Sequence, residues 1–306
     1  MDNPYLTPGR VRAALNALDL RPSRELGQNF LVDSGALLEI VAAASLSADD
    51  TVVEVGPGLG VLTHELVKHA GRVVAIELDK RLAARLADEF QANANLAVVQ
   101  GDVLRVNLGE LLGDTPYKVV ANLPYQITSA IIRHFLEVTP APDILVIMVQ
   151  WEVAQRIVAK PPNMSVLAHS VQFYAEPSIV TRVPAASFVP APKVDSAVLR
   201  LVRRPQPLVE VDDVNVFFRT IKAGFLQARK KLSNALPSGL ASMGVKLDKD
   251  AVGQVLLAAG VDPARRAETL TLHEWAHVHS ELRRLVPAAA VAPSQADEIE
   301  PTADDL

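Results

Sequence analysis

Short apolar runs in the first half of the chain each end in a glycine or a polar residue. Four of these runs predict buried β-strands, at residues 51–55, 72–76, 96–100 and 118–121. Residues 61–70, between the first two runs, show the spacing of a helix. Strands that alternate with helical segments favour an α/β fold built on an open sheet.

The second half of the chain changes its pattern. A final strand is predicted at residues 194–202, and Arg203-Arg204-Pro205-Gln206-Pro207 has the composition of a linker. Helical periodicity follows, at Val216, Phe217, Thr220, Ile221 and Phe225 and later at Val252, Val255 and Leu256. We therefore predict four regions: a basic N-terminal segment (1–24), an α/β domain (25–204), a small all-helical domain (205–286) and a disordered acidic tail (287–306).

The ends of the four strands carry the candidate chemistry. They fall at Gly56, Glu77, Asp102 and Asn122, which are 20 to 25 residues apart. Ligands of open α/β sheets bind at the carboxyl ends of the strands. The sequence therefore predicts one binding site that these four positions share.

The glycine-rich turn at residues 56–60 indicates a nucleotide-like ligand. Gly56, Gly58 and Gly60 allow the backbone to approach a ligand closely. Their spacing is not the G-x-G-x-x-G of dinucleotide-binding proteins, which argues against a nicotinamide cofactor. Glu77 lies 21 residues after Gly56, where a ribose-binding acid is expected.

Glu54-x-Gly56-x-Gly58-x-Gly60, followed by Glu77 and Asp102, resembles the S-adenosylmethionine (SAM) pattern of Rossmann-like methyltransferases. The resemblance implies that Glu77 accepts hydrogen bonds from both ribose hydroxyls. It also implies that Asp102 binds the adenine amino group of SAM. An N-cap of the following helix is the alternative for Asp102.

Asn122-Leu123-Pro124-Tyr125 provides an amide, a backbone carbonyl and an aromatic face at the end of the fourth strand. The Asn oxygen and a carbonyl can accept both hydrogens of a planar amine, and Tyr can stack on its ring. Pro124 ends strand pairing. An ordinary strand-to-helix turn is the alternative interpretation.

Several motifs occur together and in order over roughly residues 20–285: residues 26–33, 54–63, 77–79, 122–125, 188–196 and 224–236. In this combination the chain resembles the small-subunit ribosomal RNA adenine N6-dimethyltransferases (KsgA type). It departs from the family at residues 160–165, a short Pro-rich segment where the family carries a longer basic loop. The resemblance implies that Asn29, Leu31, Gly56, Gly58, Glu77, Leu78, Asp102, Val103 and Asn122 bind SAM, that Asn122, Leu123, Pro124 and Tyr125 hold the target adenine, and that Phe188 stacks on the other face of the base.

The implied function is SAM-dependent N6-dimethylation of adjacent adenosines in the 3′-terminal hairpin loop of 16S rRNA, in the immature small ribosomal subunit. We expect a cytoplasmic monomer. One alternative is the sister class that methylates large-subunit RNA and gives macrolide resistance, whose tetrapeptide resembles Asn-Ile-Pro-Tyr. Leu123 favours the small-subunit type. The other alternative is a factor that mainly binds assembling small subunits.

The net charge of −5 does not argue against an RNA substrate. Residues 287–306 hold five acids and no Lys or Arg, so this segment alone carries a charge of −5. Arg229, Lys230 and Lys231 lie in an acid-free stretch, where we predict contacts with RNA phosphates. A solvated helix face is the alternative.

Two further features bear on cofactors and location. The chain of 306 residues contains no Cys and no apolar run near the ~18 residues of a membrane span, which favours a reducing cytosol and no membrane. His273-Glu274-Trp275-Ala276-His277 matches the H-E-x-x-H of zinc proteases. Thr271 and Glu274 also form a capping box, and a rigid third ligand is missing, so we predict a helix start and no metal.

Overall fold

The computed structural model describes residues 3–20, 22 and 28–286. Arg21, Arg24 and the predicted acidic tail lie outside the described residues. The chain divides into two compact units. The first joins the residues up to 155 with residues 175–203, and the second joins 156–174 with the residues from 204 onwards. Residues 156–174 thus group with the helices of the second unit, although a single boundary near 204 would assign them to the first.

The strands of the described chain, numbered in chain order, are Phe30–Leu31 (β1), Thr51–Val55 (β2), Arg72–Glu77 (β3), Leu96–Gln100 (β4), Tyr117–Asn122 (β5), Ile144–Gln150 (β6), Ala175–Val183 (β7), Phe188–Val189 (β8) and Ser196–Arg203 (β9). Seven of them form one sheet in the order β4-β3-β2-β5-β6-β9-β7. The first five strands in this order are parallel, and β9 is antiparallel to both of its neighbours.

The α-helices are Pro8–Ala17 (α1), Ser34–Ala44 (α2), Thr63–His69 (α3), Lys80–Glu89 (α4), Leu108–Leu112 (α5), Thr128–Glu137 (α6), Trp151–Ile157 (α7), Val166–Tyr174 (α8), Val214–Phe225 (α9), Leu232–Ser242 (α10), Lys249–Ala258 (α11) and Leu272–Leu285 (α12). None of the helices in the described ranges is long and apolar enough to cross a membrane.

The parallel part of the sheet confirms the strands predicted from the apolar runs. Every residue of β2 is buried, because helices cover both faces of a parallel sheet. The register pairs Val55 with Ile76 and Ile76 with Val99. The carboxyl ends of β2, β3 and β4 therefore lie side by side, as the spacing of the strand ends predicted.

The N-terminal segment is part of the first unit. Thr7 caps α1 by accepting a hydrogen bond from the N–H of Arg10, and Pro8 starts the helix. Val11 and Leu15 lie on one face, four residues apart, and are buried in the core of this unit. The predicted basic segment thus contains a helix whose apolar face is covered.

The second unit is built from helices around its own core, which includes Phe217, Trp275 and Leu236. Gly239 allows α9 and α10 to pack closely, because a Cβ at this position would lie 2.0 Å from the Ala223 carbonyl oxygen. At the start of α12, Thr271 and Glu274 form the predicted capping box in full. Glu274 also pairs with Arg265, so both of its roles here are structural.

Candidate active site

A cavity of about 310 Å³ opens at the carboxyl edge of the sheet in the first unit. All four strand ends predicted to share a site contribute to its wall. The lining residues include Asn29, Phe30, Leu31, Glu54, Gly56, Gly58, Glu77, Leu78, Asp102, Val103, Asn122, Leu123, Pro124, Tyr125 and Ile127. Every residue predicted to bind SAM is therefore in one cavity.

The glycine-rich turn has the backbone that its sequence predicts. Gly56 has a φ of 63° and Gly58 a φ of 59°, values that disfavour any residue with a Cβ. A Cβ on Gly58 would also lie 3.1 Å from Cε1 of Phe30. The turn therefore needs glycine both for its conformation and for the space beside the cavity.

Glu77 is held in place at the end of β3 by backbone donors. Its Oε2 accepts a hydrogen bond from the N–H of Gly58, and its Oε1 accepts one from the N–H of Asp79, both at 2.9 Å. Burial raises the pKa of Glu77, and these backbone hydrogen bonds oppose the shift. Each carboxylate oxygen keeps a further lone pair, which suits two hydroxyl donors such as those of a ribose.

Glu54 is a second buried acid in this wall, and no chemical role was predicted for it from the sequence. Glu54 is 1% exposed, and its carboxyl accepts a 2.6 Å hydrogen bond from Oγ1 of Thr63. Burial, and to a smaller extent the charge of Glu77, raise the pKa of Glu54 to about 8. The signal in the sequence was an acid between the valines of a strand predicted to be buried, Val52-Val53-Glu54-Val55.

Asp102 caps a turn and not a helix. Its Oδ1 accepts a 3.0 Å hydrogen bond from the N–H of Leu104, two residues further on, which is an Asx-turn. The next helix, α5, starts later and is capped by Asn107. The helix-cap alternative for Asp102 is therefore wrong, and its side chain stays beside the cavity together with the buried Val103.

The amide of Asn122 is oriented by a contact with a distant part of the chain. Its Nδ2 donates a 3.2 Å hydrogen bond to the backbone carbonyl of Asn29. Since the amide nitrogen points at Asn29, Oδ1 points the other way and can accept a hydrogen bond from a ligand. The sequence predicted both residues for the site but not their contact.

Tyr125 follows in a short 3₁₀ turn at residues 125–127, after the buried Leu123. Its hydroxyl forms a 2.6 Å hydrogen bond with Oγ of Ser196, at the start of β9. Burial raises the pKa of this hydroxyl. Thr128 donates a hydrogen bond to the Pro124 carbonyl and so holds the turn.

Phe188 is not brought into the cavity. It pairs with Leu31 in the two-stranded β1–β8 ribbon, which joins two of the motifs noted in the sequence, and its side chain is 2% exposed. The face that was predicted to stack on a base is covered by the core of the first unit. Phe30, on the other strand of the ribbon, lines the cavity instead.

The predicted RNA-binding residues lie in the second unit. Arg229, Lys230 and Lys231 are exposed and occupy the turn between α9 and α10. The alternative was a solvated helix face, but these cations lie on a turn and not on a helix. Among the described residues no cluster of three or more His, Cys, Asp or Glu has the arrangement of a metal site.

Comparisons with known proteins show which proteins this chain is similar to. The sequence model of the ribosomal RNA adenine dimethylase family matches residues 20–277. The ribosomal RNA small subunit methyltransferase A of Dehalococcoides mccartyi (strain CBDB1) is 46% identical over 268 residues, covering 87% of this chain and 90% of that protein. The protein of the same name from Moorella thermoacetica is 43% identical over 288 residues, covering 90% and 98% of the two chains.

Solved structures are similar as well. A dimethyladenosine transferase from Plasmodium falciparum has a TM-score of 0.70 at 25% identity, over 83% of this chain and 98% of that one. The 23S rRNA methyltransferase ErmE has a TM-score of 0.65 at 30% identity, over 83% and 99% of the two chains. The Rossmann-like methyltransferase fold that the resemblance implied is thus confirmed.

Proposed function

The chain belongs to the ribosomal RNA adenine dimethylase family, and from this membership we propose that it dimethylates N6 of adjacent adenosines in the 3′-terminal hairpin loop of 16S rRNA. As a member of the family it is a SAM-dependent rRNA adenine methyltransferase. The relatives named small subunit methyltransferase A support the choice of the small subunit. We propose that the protein acts on immature subunits, as a monomer in the cytoplasm.

The residues of the cavity fit SAM. Gly56 and Gly58 leave room for a ligand along the turn, and Glu77 presents two oxygens that are already fixed by backbone donors. Asp102, Val103, Leu78, Asn29 and Leu31 complete the predicted cofactor wall. When bound, SAM supplies a methyl group on a positively charged sulfur, which is the electrophile of the reaction.

The orientation of the Asn122 amide is the observation that carries the proposal. The lone pair of an adenine amine is delocalised into the ring, so this nitrogen is a weak nucleophile. Asn122 Oδ1 and the Leu123 carbonyl would accept its two hydrogens and favour a pyramidal nitrogen whose lone pair faces the methyl donor. The hydrogen bond from Nδ2 to the carbonyl of Asn29 disfavours the flipped amide, in which Nδ2 and not Oδ1 would face the adenine amine. These two acceptors act by positioning the amine nitrogen, and no general base is needed for the attack.

Tyr125 provides the stacking face for the target base, which must leave its own stack to enter the site. The hydrogen bond to Ser196 fixes the ring by its hydroxyl and leaves the ring plane for the base. For Phe188 to stack on a base, its ring would have to leave the core, so we assign stacking to Tyr125 alone. Arg229, Lys230 and Lys231 would bind RNA phosphates.

Large-subunit RNA is the second candidate, and the structural similarity to the 23S rRNA methyltransferase ErmE favours it. That similarity comes with 30% identity, below the 46% shared with a small subunit methyltransferase A. A role as an assembly factor alone is disfavoured by the intact Asn122-Leu123-Pro124-Tyr125 and its ordered geometry.

The test uses the full chain with methyl-labelled SAM and two substrates, unmethylated small subunits and unmethylated large subunits. We expect label in the small subunit only, at two neighbouring adenines with two methyl groups each, as mapped by mass spectrometry of nuclease fragments. Label in the large subunit would contradict the assignment of substrate. Binding of small subunits without label would support the assembly-factor alternative.

A further inference from the structure

Arg182 and Trp151 form a stacked pair outside the cavity, in the first unit. The guanidinium carbon of Arg182 lies 4.8 Å from the centroid of the Trp151 ring. The side chain of Arg182 is 56% exposed, so its other side faces solvent. The pair therefore presents a flat cationic surface backed by an aromatic ring.

Asp195 holds this pair in place. Its Oδ2 accepts hydrogen bonds from Nε of Arg182 at 2.9 Å and lies 2.8 Å from Nη2. Its Oδ1 accepts from the N–H of Ala185, and its backbone carbonyl accepts from the N–H of Trp151. Because one carboxylate binds the Nε and Nη2 side of the guanidinium, the Nη1 side points away from it.

The pair lies at the same sheet edge as the proposed active site. Trp151 directly follows the end of β6, and Arg182 is the last but one residue of β7, which runs in the direction of β6 because both are antiparallel to β9. Ser196 pairs with Gln150 and bonds to Tyr125. Three strand spacings separate β5 from β7, which is about 14 Å.

The geometry points to a second nucleotide-binding position, in which the exposed face of Arg182 stacks on the base of a nucleotide next to the target adenosine in single-stranded RNA. This inference rests on the proposed function. Unpaired bases stack on guanidinium planes as well as on aromatic rings. The Nη1 side, which points away from Asp195, suits a phosphate of the same strand.

A purely structural ion pair would leave the choice of cation open. Exposed ion pairs stabilise a fold only slightly, and Lys would serve as well as Arg for that purpose. A Lys ammonium has no plane to place against a base. Arg182→Lys therefore keeps a positive charge beside Asp195 but removes the planar stacking surface and the Nη1 donor.

The experiment compares Arg182→Lys and Arg182→Ala with Arg133→Ala. Arg133 is a matched control because it is also exposed and ion-paired, with Glu137 on α6 of the same unit. We expect both Arg182 variants to raise KM for unmethylated small subunits by about 5- to 100-fold, the loss of one stacked base. The kcat, the SAM affinity and the thermal melt should stay at wild-type values.

Chemical probing of the complex gives the second measurement. The base next to the target adenosine should be protected by the wild type and by Arg133→Ala, and reactive with Arg182→Lys. A wild-type KM and unchanged protection in Arg182→Lys would overturn the inference. Failure of the proposed function would look different, because the wild type itself would then not methylate the small subunit.

Discussion

Thr63 donates a 2.6 Å hydrogen bond to Glu54 from the first turn of α3, and this is the only side-chain hydrogen bond found for that buried carboxyl within the described residues. The carboxyl has left water and lies near Glu77, so its pKa rises to about 8. An acid with a raised pKa holds its proton in the folded state at a pH where the unfolded chain has released it.

Glu54 should therefore make the protein less stable as the pH rises. The folded state binds the extra proton between the ordinary Glu pKa and about 8, so the free energy of unfolding falls across this window, on the order of a few kcal/mol. Glu54→Gln keeps an acceptor for Thr63 and cannot ionise. We expect its melting temperature to exceed that of the wild type at pH 8 and to match it near pH 4.5. Glu39→Gln, at an exposed acid of the same unit, should follow the wild type at both values.

The loss of the Glu77 carboxylate should weaken SAM binding. Glu77→Ala removes the acceptors assigned to the ribose hydroxyls, each charge-assisted hydrogen bond being worth about 1.5–3 kcal/mol. Titration calorimetry should show SAM affinity reduced at least about tenfold. A thermal melt of the same sample shows whether the variant is folded. If the folded variant binds SAM like the wild type, the ribose assignment is wrong.

The position of the strand ends was predictable because parallel strands all end at the same edge of the sheet. This holds for any length or packing of the helices that connect them. β2 and β4 match the predicted strands, and β3 and β5 extend them by one or two residues. The contacts that orient the site were not predictable in this way. Asn29 and Asn122 are 93 residues apart, and their hydrogen bond depends on how the β1–β8 ribbon packs.

Phe188 shows the opposite case, in which the predicted role of a side chain is not visible in its packing: the ring lies in the core of the first unit and does not line the cavity. An aromatic residue beside a predicted site can face either the ligand or the core, and the sequence pattern does not distinguish the two. Pairing with Leu31 in the ribbon buries the ring.

The exposed cations of the α9–α10 turn should contribute to RNA affinity through charge. Replacing Arg229, Lys230 and Lys231 by Gln should raise KM for RNA and reduce the log–log salt slope by about 0.7–0.9 for each lost phosphate contact. Lys246→Gln with Lys249→Gln, at two exposed lysines of the same unit, is the control. If the triple variant has the same salt slope as the control, these three cations form a solvated surface and do not contact phosphates.

Tyr125 should act through its ring and only weakly through its hydroxyl. Tyr125→Ala removes a stacking face worth about 1–3 kcal/mol per base and should raise KM for RNA accordingly. Tyr125→Phe loses the bond to Ser196 but keeps the ring, so its KM should stay much closer to that of the wild type. Equal effects of the two substitutions would mean that the hydroxyl, and not stacking, is what matters.

The proposed mechanism depends on Asn122, which accepts a hydrogen bond from the adenine amine as methyl transfer begins. Asn122→Ala removes that acceptor and leaves the ring of Tyr125 in place. Because the bond strengthens as the nitrogen becomes pyramidal, its loss should lower the rate of the chemical step and change RNA binding little.

Single-turnover methyl transfer at saturating small subunits and SAM measures this step directly, with Tyr125→Phe as the matched variant. We predict that Asn122→Ala is slower than the wild type by about two to three orders of magnitude, as for other groups that act only in a transition state, while Tyr125→Phe stays close to the wild-type rate. Methyl transfer by Asn122→Ala at the wild-type rate would show that Asn122 is not the acceptor and that Asn122-Leu123-Pro124-Tyr125 is only a structural turn.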